Sequence, residues 1–473
     1  MFASFDTDAT AVLTSIRLVS GVMENKRDLT LIVGAGVAGL TAGYLLAKAG
    51  KRCLIVEKEG VAGGQCRSLT LDDIIFDLGP HVLFPNPGAE AEDFIFDLLK
   101  NEPLITRIWK FGIVTGKKSW TMPAGFLELL FYPWTIKKQI LQSYLKKGHV
   151  NPKELISAES DITAKFGPVY YNEVLGPMIY KKALMPGHLV HADWIARVDR
   201  DIRHRKEPFK DPHVGGILHK IKYIFNAMRK KYVYPANGFQ SIPDKLLQRY
   251  KEAGGELVLN CKQLEFEKTE DQITAVITGG NRYSVENVVW TASANQLNKV
   301  LGNDSLNFHY ADITNVFLTY EQKHLKNRPM LYVYYTEPSF IFKRVYYPSN
   351  IFGDKTPDAK EGICLTIHET TESAAMTDVQ LVDRCVSDIE RAGIFKAIDL
   401  RKSMVIRLGN SMPLYDLDYE TQLQRNFKEI DEKYKNLYSI GRLGGFFFCM
   451  TPPAVSQGIK LAKSLLKKGV STT

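Results

Sequence analysis

The chain has 473 residues, 45% hydrophobic and 24% charged, which excludes a disordered or fibrous protein and suits two domains or one large α/β body with an inserted second lobe. A net charge of +9 fits anionic ligands, nucleic acid or an acidic membrane surface, and the sign alone selects none of them. The basic clusters, such as Lys146-Lys147 and Arg203-His204-Arg205-Lys206, are short and have no nucleic-acid module around them, so nucleic acid is set aside as a partner.

Residues 1–28 read as an N-terminal extension. Acidic residues stand where a secretion signal needs basic ones, Arg17 interrupts the apolar part, and Met23 lies near enough to the first strand to be a start. No stretch reaches the roughly 18 consecutive apolar residues of a membrane span. From Leu29 the pattern becomes regular. A strand from Leu29 to Val33 runs into Gly34-Ala35-Gly36-Val37-Ala38-Gly39, a helix continues through Lys48 and stops at Gly50, and a second strand, Arg52 to Val56, delivers Glu57. Gly34 permits the tight turn, Gly36 lets backbone approach a pyrophosphate, and Gly39 lets helix pack on strand. The helix N-terminus offers free amides to phosphate, and Glu57 can accept from ribose hydroxyls. Strand, turn, helix, strand and acid in this order are a Rossmann-type dinucleotide site.

Downstream, Glu57-Lys58-Glu59-Gly60-Val61-Ala62-Gly63-Gly64-Gln65-Cys66-Arg67-Ser68 adds a glycine pair and an arginine, and a strand-like IIFD leads into Leu78-Gly79-Pro80-His81. These stretches resemble the flavoprotein superfamily of amine oxidases, protoporphyrinogen oxidases, phytoene desaturases and UDP-galactopyranose mutases. The resemblance implies FAD as cofactor and an α/β fold. Its FAD-binding domain would be Rossmann-type and glutathione-reductase-like, with an inserted mixed α+β substrate-binding domain. It assigns Gly34, Gly36, Ala38, Gly39, Glu57, Lys58, Gly63, Gly64, Arg67 and Ser68 to FAD binding. Gly79, Pro80 and His81 fall beside the isoalloxazine ring, where His81 would serve as a neutral hydrogen-bond donor or a stacking group.

Further along, Pro103 to Tyr232 is rich in helix patterns and aromatic residues. Within it, Gly125 to Lys147 mixes apolar residues with a basic end, as a membrane-surface helix would. Pro133 breaks that pattern, which favours helices of a substrate lobe. Phe166 to Trp194 resembles bacterial protoporphyrinogen-oxidase-like proteins. Tyr234 to Glu267 reads as a glycine loop, a helix from Ile242 to Ala253, a Gly254-Gly255 stop and a strand ending near Asn260. Strand-like runs follow at Ile273–Ile277, Asn287–Thr291, Asn315–Tyr320, Leu331–Tyr335 and Ile363–His368. Near the end, a strand from Asn436 to Ile440 meets the turn Gly441-Arg442-Leu443-Gly444-Gly445, and a helix opened by Pro452 or Pro453 follows. In the superfamily this helix N-terminus faces the flavin, and the resemblance adds Gly441, Arg442, Ala454 and Val455 to the cofactor set. The division expected is 29–102, 233–310 and 401–473 for FAD, and 103–232 and 311–400 for substrate.

The candidate catalytic residues are His81 and Arg442. Trp194, Tyr334, Arg344, Tyr346 and Phe448 are candidates for the substrate side, with ordinary core packing as the competing reading for each aromatic. The six dispersed cysteines match no metal-ligand spacing, so a cytoplasmic protein with reduced thiols and no metal is expected. No second dinucleotide turn occurs. The leading reading is an FAD-dependent oxidoreductase taking a hydride from a small molecule, anionic or a nucleotide sugar. The second is a redox-neutral mutase acting through reduced flavin, for which GPHVLF and GRLGG are similar to the UDP-galactopyranose mutase motifs. Phe84 and Phe448 depart from it, standing where that family has a histidine and a tyrosine. The third is a non-catalytic FAD-binding protein.

Overall fold

The computed structural model describes residues 28–122, 133–145, 156–196, 230–303, 307–321, 330–352, 360–394 and 399–470. The N-terminal extension through residue 27 lies outside them, as do the Met23 start and residues 197–229. Five parallel strands form the first sheet, in the order β19 (Leu437–Ser439), β13 (Asn287–Trp290), β1 (Thr30–Val33), β2 (Cys53–Val56) and β9 (Glu256–Val258). All residues of β1 and β2 are buried, as central parallel strands covered on both faces require. The helix Val37–Lys48 packs on this sheet and against the helices Ser241–Glu252 and Thr451–Val470. Close approach is specified by glycine: a Cβ on Gly458 would stand 2.6 Å from the Ala38 carbonyl oxygen, and one on Gly43 would stand 3.0 Å from Ile55 Cδ1. The meander β10 (Leu264–Lys268), β11 (Ile273–Thr278) and β12 (Asn281–Ser284) is antiparallel and leads back into β13.

A seven-stranded mixed sheet roofs one end. Its order is β18 (Leu400–Pro413), β14 (Tyr310–Tyr320), β17 (Glu361–His368), β16 (Arg344–Tyr346), β15 (Tyr332–Tyr335), β6 (Phe111–Thr115) and β7 (Lys118–Met122). The hairpin β3 (Ser68–Leu71) and β4 (Ile74–Asp77) joins the two bodies. Asn315 on β14 donates to the Leu78 carbonyl at 3.1 Å, and Gly362 on β17 leaves room for the Phe76 ring.

Two features differ from the sequence reading. Residues 104–122, taken there as part of a helix-rich lobe, form three strands. β5 (Leu104–Ile108) pairs with β8 (Lys231–Pro235), and β6 pairs in parallel with β15. β6 and β7 form a local hairpin, but β5 and the other edge of β6 pair with strands more than 100 residues away, which local sequence does not reveal. β18 also joins the roof sheet, although the division by sequence placed residue 401 onward with the FAD-binding unit. Its antiparallel pairing with β14 from Pro413 to Leu400 completes the hydrogen bonding of that strand. The helix Trp134–Leu145 starts directly after Pro133, where the sequence breaks. No helix among the described residues is long and apolar enough to cross a membrane.

Candidate active site

The dinucleotide turn is built by its own glycines and by the acid of the next strand. Gly34 has φ +104°, and a Cβ there would fall 2.2 Å from Thr291 Oγ1. A Cβ on Gly39 would fall 2.2 Å from the Gly34 carbonyl oxygen. Both positions therefore exclude a side chain because of the protein itself. Gly36 differs: its backbone is extended, with φ −74°, and nothing lies within 4 Å of where its Cβ would be. That open space is the groove. Glu57 closes the turn, with Oε2 accepting from Ala35 N at 2.8 Å and Oε1 from Glu59 N at 3.0 Å. Each oxygen keeps a lone pair for a hydroxyl. Gly63 and Gly64, both at positive φ, bring the next loop against Gly36, and Arg67 Nε donates to the Gly64 carbonyl at 2.9 Å.

Asp77, fully buried at the end of β4, organises the turn that follows. It accepts from Ser68 Oγ at 2.6 Å, Tyr234 Oη at 2.8 Å and Phe239 N at 3.3 Å. His81 Nδ1 lies 3.4 Å from Asp77 Oδ2 without hydrogen-bond geometry, and the imidazole stacks on Phe239 with centroids 4.6 Å apart. From the opposite side, Gly441 at φ +83° donates its N–H to Gln457 Oε1 at 2.5 Å. Arg442 Nη1 donates to the Cys449 carbonyl at 2.7 Å, with its guanidinium 4.6 Å from the Phe448 ring. The helix Thr451–Val470 points its N-terminus into the same space. Cys66, 3.6 Å from Thr451 Oγ1, has its thiol pushed up to about 11 by burial and is an inert wall residue rather than a nucleophile.

The roof contributes Tyr332, Tyr334, Lys343, Arg344 and Thr366. Arg344 Nη2 donates to Thr366 Oγ1 at 3.2 Å and sits 3.4 Å from where a Gly79 Cβ would be, so this glycine admits the guanidinium. Burial, reinforced by the Arg344 and Arg442 charges, holds the Lys343 ammonium well below the usual lysine range. His368 beside it is pushed down to about 3 by burial and by Lys343. Lys182 lies 4.3 Å over the Trp194 ring and 5.0 Å from that of Phe448.

These parts enclose one cavity of about 870 Å³, running from Glu57 and the β10 end to the roof. Gly34, Gly36, Ala38, Glu57, Lys58, Gly63, Gly64, Arg67, Gly79, Pro80, His81, Gly441, Arg442 and Ala454 all line it, as do Tyr334, Arg344 and Phe448. Five candidates do not. Gly39 packs beneath the turn, Ser68 supports Asp77, and Val455 is buried in its helix. Trp194 is a core residue that stacks on Phe448 and donates to the Pro413 carbonyl, and Tyr346 is buried beside Tyr234 and Asp77. Sequence reasoning missed Lys182, Lys343, Thr366, Gln65 and the segment 408–412 of β18. For Lys343 a signal existed, a lysine inside the apolar run FIFKRVYY. No group of three or more His, Cys, Asp or Glu able to hold a metal occurs among the described residues.

A dinucleotide flavin fits these residues. Gly36 leaves backbone bare for a pyrophosphate beside Arg67 and a helix N-terminus, Glu57 marks the ribose end, and the far end is enclosed under the roof. The model of an NAD(P)-binding Rossmann-like domain matches residues 32–98, and that of a flavin containing amine oxidoreductase matches residues 216–442. All-trans-retinol 13,14-reductase from Homo sapiens is 37% identical over 129 residues, 24% of this chain and 21% of that protein, so the match spans about a fifth of this relative's length. A crystal structure of reduced UDP-galactopyranose mutase superposes with a TM-score of 0.72 at 16% identity, covering 93% of this chain and 96% of that one. Wild-type putrescine oxidase bound to putrescine gives a TM-score of 0.61 at 15% identity, covering 93% and 99%. Identities this low establish the fold, whereas the matched sequence models cover both the dinucleotide turn and the return to it through Gly441-Arg442. The two matched models support a place in the flavin amine oxidase-like superfamily, with FAD as the cofactor.

Proposed function

We propose that the protein is an FAD-dependent oxidoreductase that removes a hydride from a C–H bond of a small molecule held under the roof sheet. The observation that carries this reading is the continuity of the cavity. One continuous space runs from the dinucleotide turn to Tyr332, Tyr334 and Arg344, so cofactor and substrate would share it. Bound flavin supplies the hydride-accepting chemistry. The chain supplies position and polarity. Phe239, tied to Asp77 through its N–H, stacks on His81 at the Gly79-Pro80 turn, Arg442 presents positive charge, and the aromatic roof covers one side of the cavity. We further read the protein as cytoplasmic, a reading supported by six free, buried cysteines.

Anaerobic titration of the purified flavoprotein with candidate donors, followed by flavin absorbance, tests the reading. An amine and a polyene are the first two to try, since relatives and neighbours include a putrescine oxidase and phytoene desaturases. Bleaching by one of them supports it. A flavin that no donor reduces, but that turns over a nucleotide sugar after dithionite reduction without net consumption of reductant, would instead favour the redox-neutral mutase. The likeness to the mutase fold speaks for that second reading. Phe448 speaks against it, since its ring is committed to Trp194, Lys182 and Arg442 and offers no hydroxyl.

A further inference from the structure

We propose that Lys343 and Arg344 form an anion-binding subsite at the roofed end of the cavity, and that the substrate therefore carries an acidic group, a carboxylate or a phosphoryl group. This rests on the oxidoreductase reading of the same cavity and adds the substrate's charge to it.

The argument begins with how the rest of the molecule treats buried charge. Asp388, fully buried, is met by both Arg384 at 3.2 Å and Arg391 at 2.8 Å. Lys181, also buried though less deeply than Lys343, donates to the Pro338 and Phe340 carbonyls with Asp388 nearby. Lys343 and Arg344 break this rule. Among the described residues, neither has a carboxylate within ion-pair distance. Arg344 has one neutral hydroxyl, Thr366 Oγ1, on Nη2, and its buried Nε has no acceptor. A half-buried guanidinium whose buried Nε has no acceptor is destabilising unless an anion completes it. The cavity's own carboxylates, Glu57, Glu59 and Glu265, all lie at the dinucleotide end, while Lys182 and Arg442 add positive charge at the roofed end.

The surroundings narrow the ligand. The Arg344 guanidinium lies 5.6 Å from the Tyr332 ring and 5.9 Å from that of Tyr334, and Phe84 and Trp109 extend the same wall. Fixed, planar donors beside aromatic faces suit an oxyanion attached to an apolar or planar body. Lys343 makes recognition proton-linked. Burial and the charges of Arg344 on its own strand and Arg442 from the C-terminal turn disfavour its ammonium form. His368 on β17, its Nδ1 3.0 Å from the Lys182 carbonyl, also feels the Lys343 charge. An arriving anion favours the ammonium, so binding takes up a proton and weakens as pH rises.

The test uses the oxidised, FAD-loaded protein, titrated with benzoate as the carboxylate probe and with inorganic pyrophosphate as the phosphoryl probe. Flavin absorbance and calorimetric heat report binding, and buffers of different ionisation enthalpy report proton uptake. We expect one probe to bind, with proton uptake, and to bind about tenfold or more weakly to Arg344→Gln and to Lys343→Met. Both variants should keep wild-type flavin content, and Arg401→Gln on the surface should bind as wild type does. Benzoate alone identifies a carboxylate substrate and pyrophosphate alone a phosphorylated one. Failure of both probes at millimolar concentration, equal binding by both variants, or binding without proton uptake overturns the proposal. The uptake measurement on wild type decides the matter even if neither variant folds. Anion binding to a flavin that no donor reduces would sink the oxidoreductase reading and leave this subsite standing. Flavin reduction without anion binding would do the reverse.

Discussion

Replacing Gly36 by valine should remove FAD while leaving the fold intact, because nothing in the protein lies within 4 Å of the new Cβ. Its backbone is extended and not left-handed, so the apoprotein loses only the difference between glycine and valine at a helix N-cap, about 1 kcal/mol or less. The new methyl groups fill the groove where the pyrophosphate must approach bare backbone. A ligand present at a hundredfold excess over its Kd stabilises by about 2.7 kcal/mol. With an unfolding entropy of about 2 cal/mol/K per residue, 473 residues give about 1 kcal/mol/K, so losing that ligand lowers the thermal midpoint by about 3 °C. The assay pairs flavin absorbance per protein with the thermal midpoint of wild-type holoprotein, wild-type apoprotein and variant. The variant should be colourless and melt with the wild-type apoprotein. Gly39→Ala is the contrast. Its Cβ would meet a backbone oxygen at 2.2 Å, which cannot step aside, so this smaller substitution should cost about 3 kcal/mol or more and prevent folding. A yellow Gly36→Val protein with full flavin occupancy would refute the placement of the cofactor. A Gly36→Val protein without secondary structure would refute the distinction between the two glycines.

Asp77→Ala should destabilise by about 3–5 kcal/mol, since Tyr234, Ser68 and Phe239 lose a shared buried acceptor, whereas Asp77→Asn should cost less; the urea midpoint measures both. Arg442→Ala should retain FAD and lower kcat, and unchanged kinetics would remove Arg442 from the site. For His368 the folded value is about 3 against an ordinary 6.5. Between those values the unfolded chain holds one proton more than the folded protein, so stability rises with pH up to about 6.5 and is then flat with respect to this group. His368→Asn should therefore show a shallower loss of unfolding free energy from pH 6.5 down to pH 4, and an identical slope would show that the imidazole titrates normally.

The FAD half was legible because its instructions are local. Gly39 and Glu57 act on Gly34 and Ala35 within one strand–turn–helix–strand unit, and such spacing survives in one dimension. The roof was not, because its strands are specified by distant partners: Tyr332 by Phe111, and Ala311 by Met412. Residues 104–122 carry too few alternating apolar positions to declare a strand alone. Trp194 and Tyr346, for which core packing was the competing reading, show a related limit. An aromatic residue reads the same whether it faces a ligand or a neighbour, and here Pro413 and the Tyr234–Asp77 cluster claim them. Even within the glycine motif, sequence could not separate Gly36, which is bare for a ligand, from Gly39, which is bare for the fold.

Charge was the least legible property, and the reason is physical. A net charge of +9 averages over surface lysines that water satisfies and interior ones that it does not. Lys181 and Lys343 are both lysines in mixed apolar surroundings, and no spacing rule tells them apart. Only the fold shows that one reaches carbonyls near Asp388 while the other faces a cavity whose nearest charges are of its own sign. An uncompensated buried charge is costly, and one that opens on a ligand cavity is a residue whose counter-ion arrives from outside. The positive balance of the whole chain says nothing about its substrate, whereas the Arg344 guanidinium beside Gly79, with Lys343 preceding it in the chain, does.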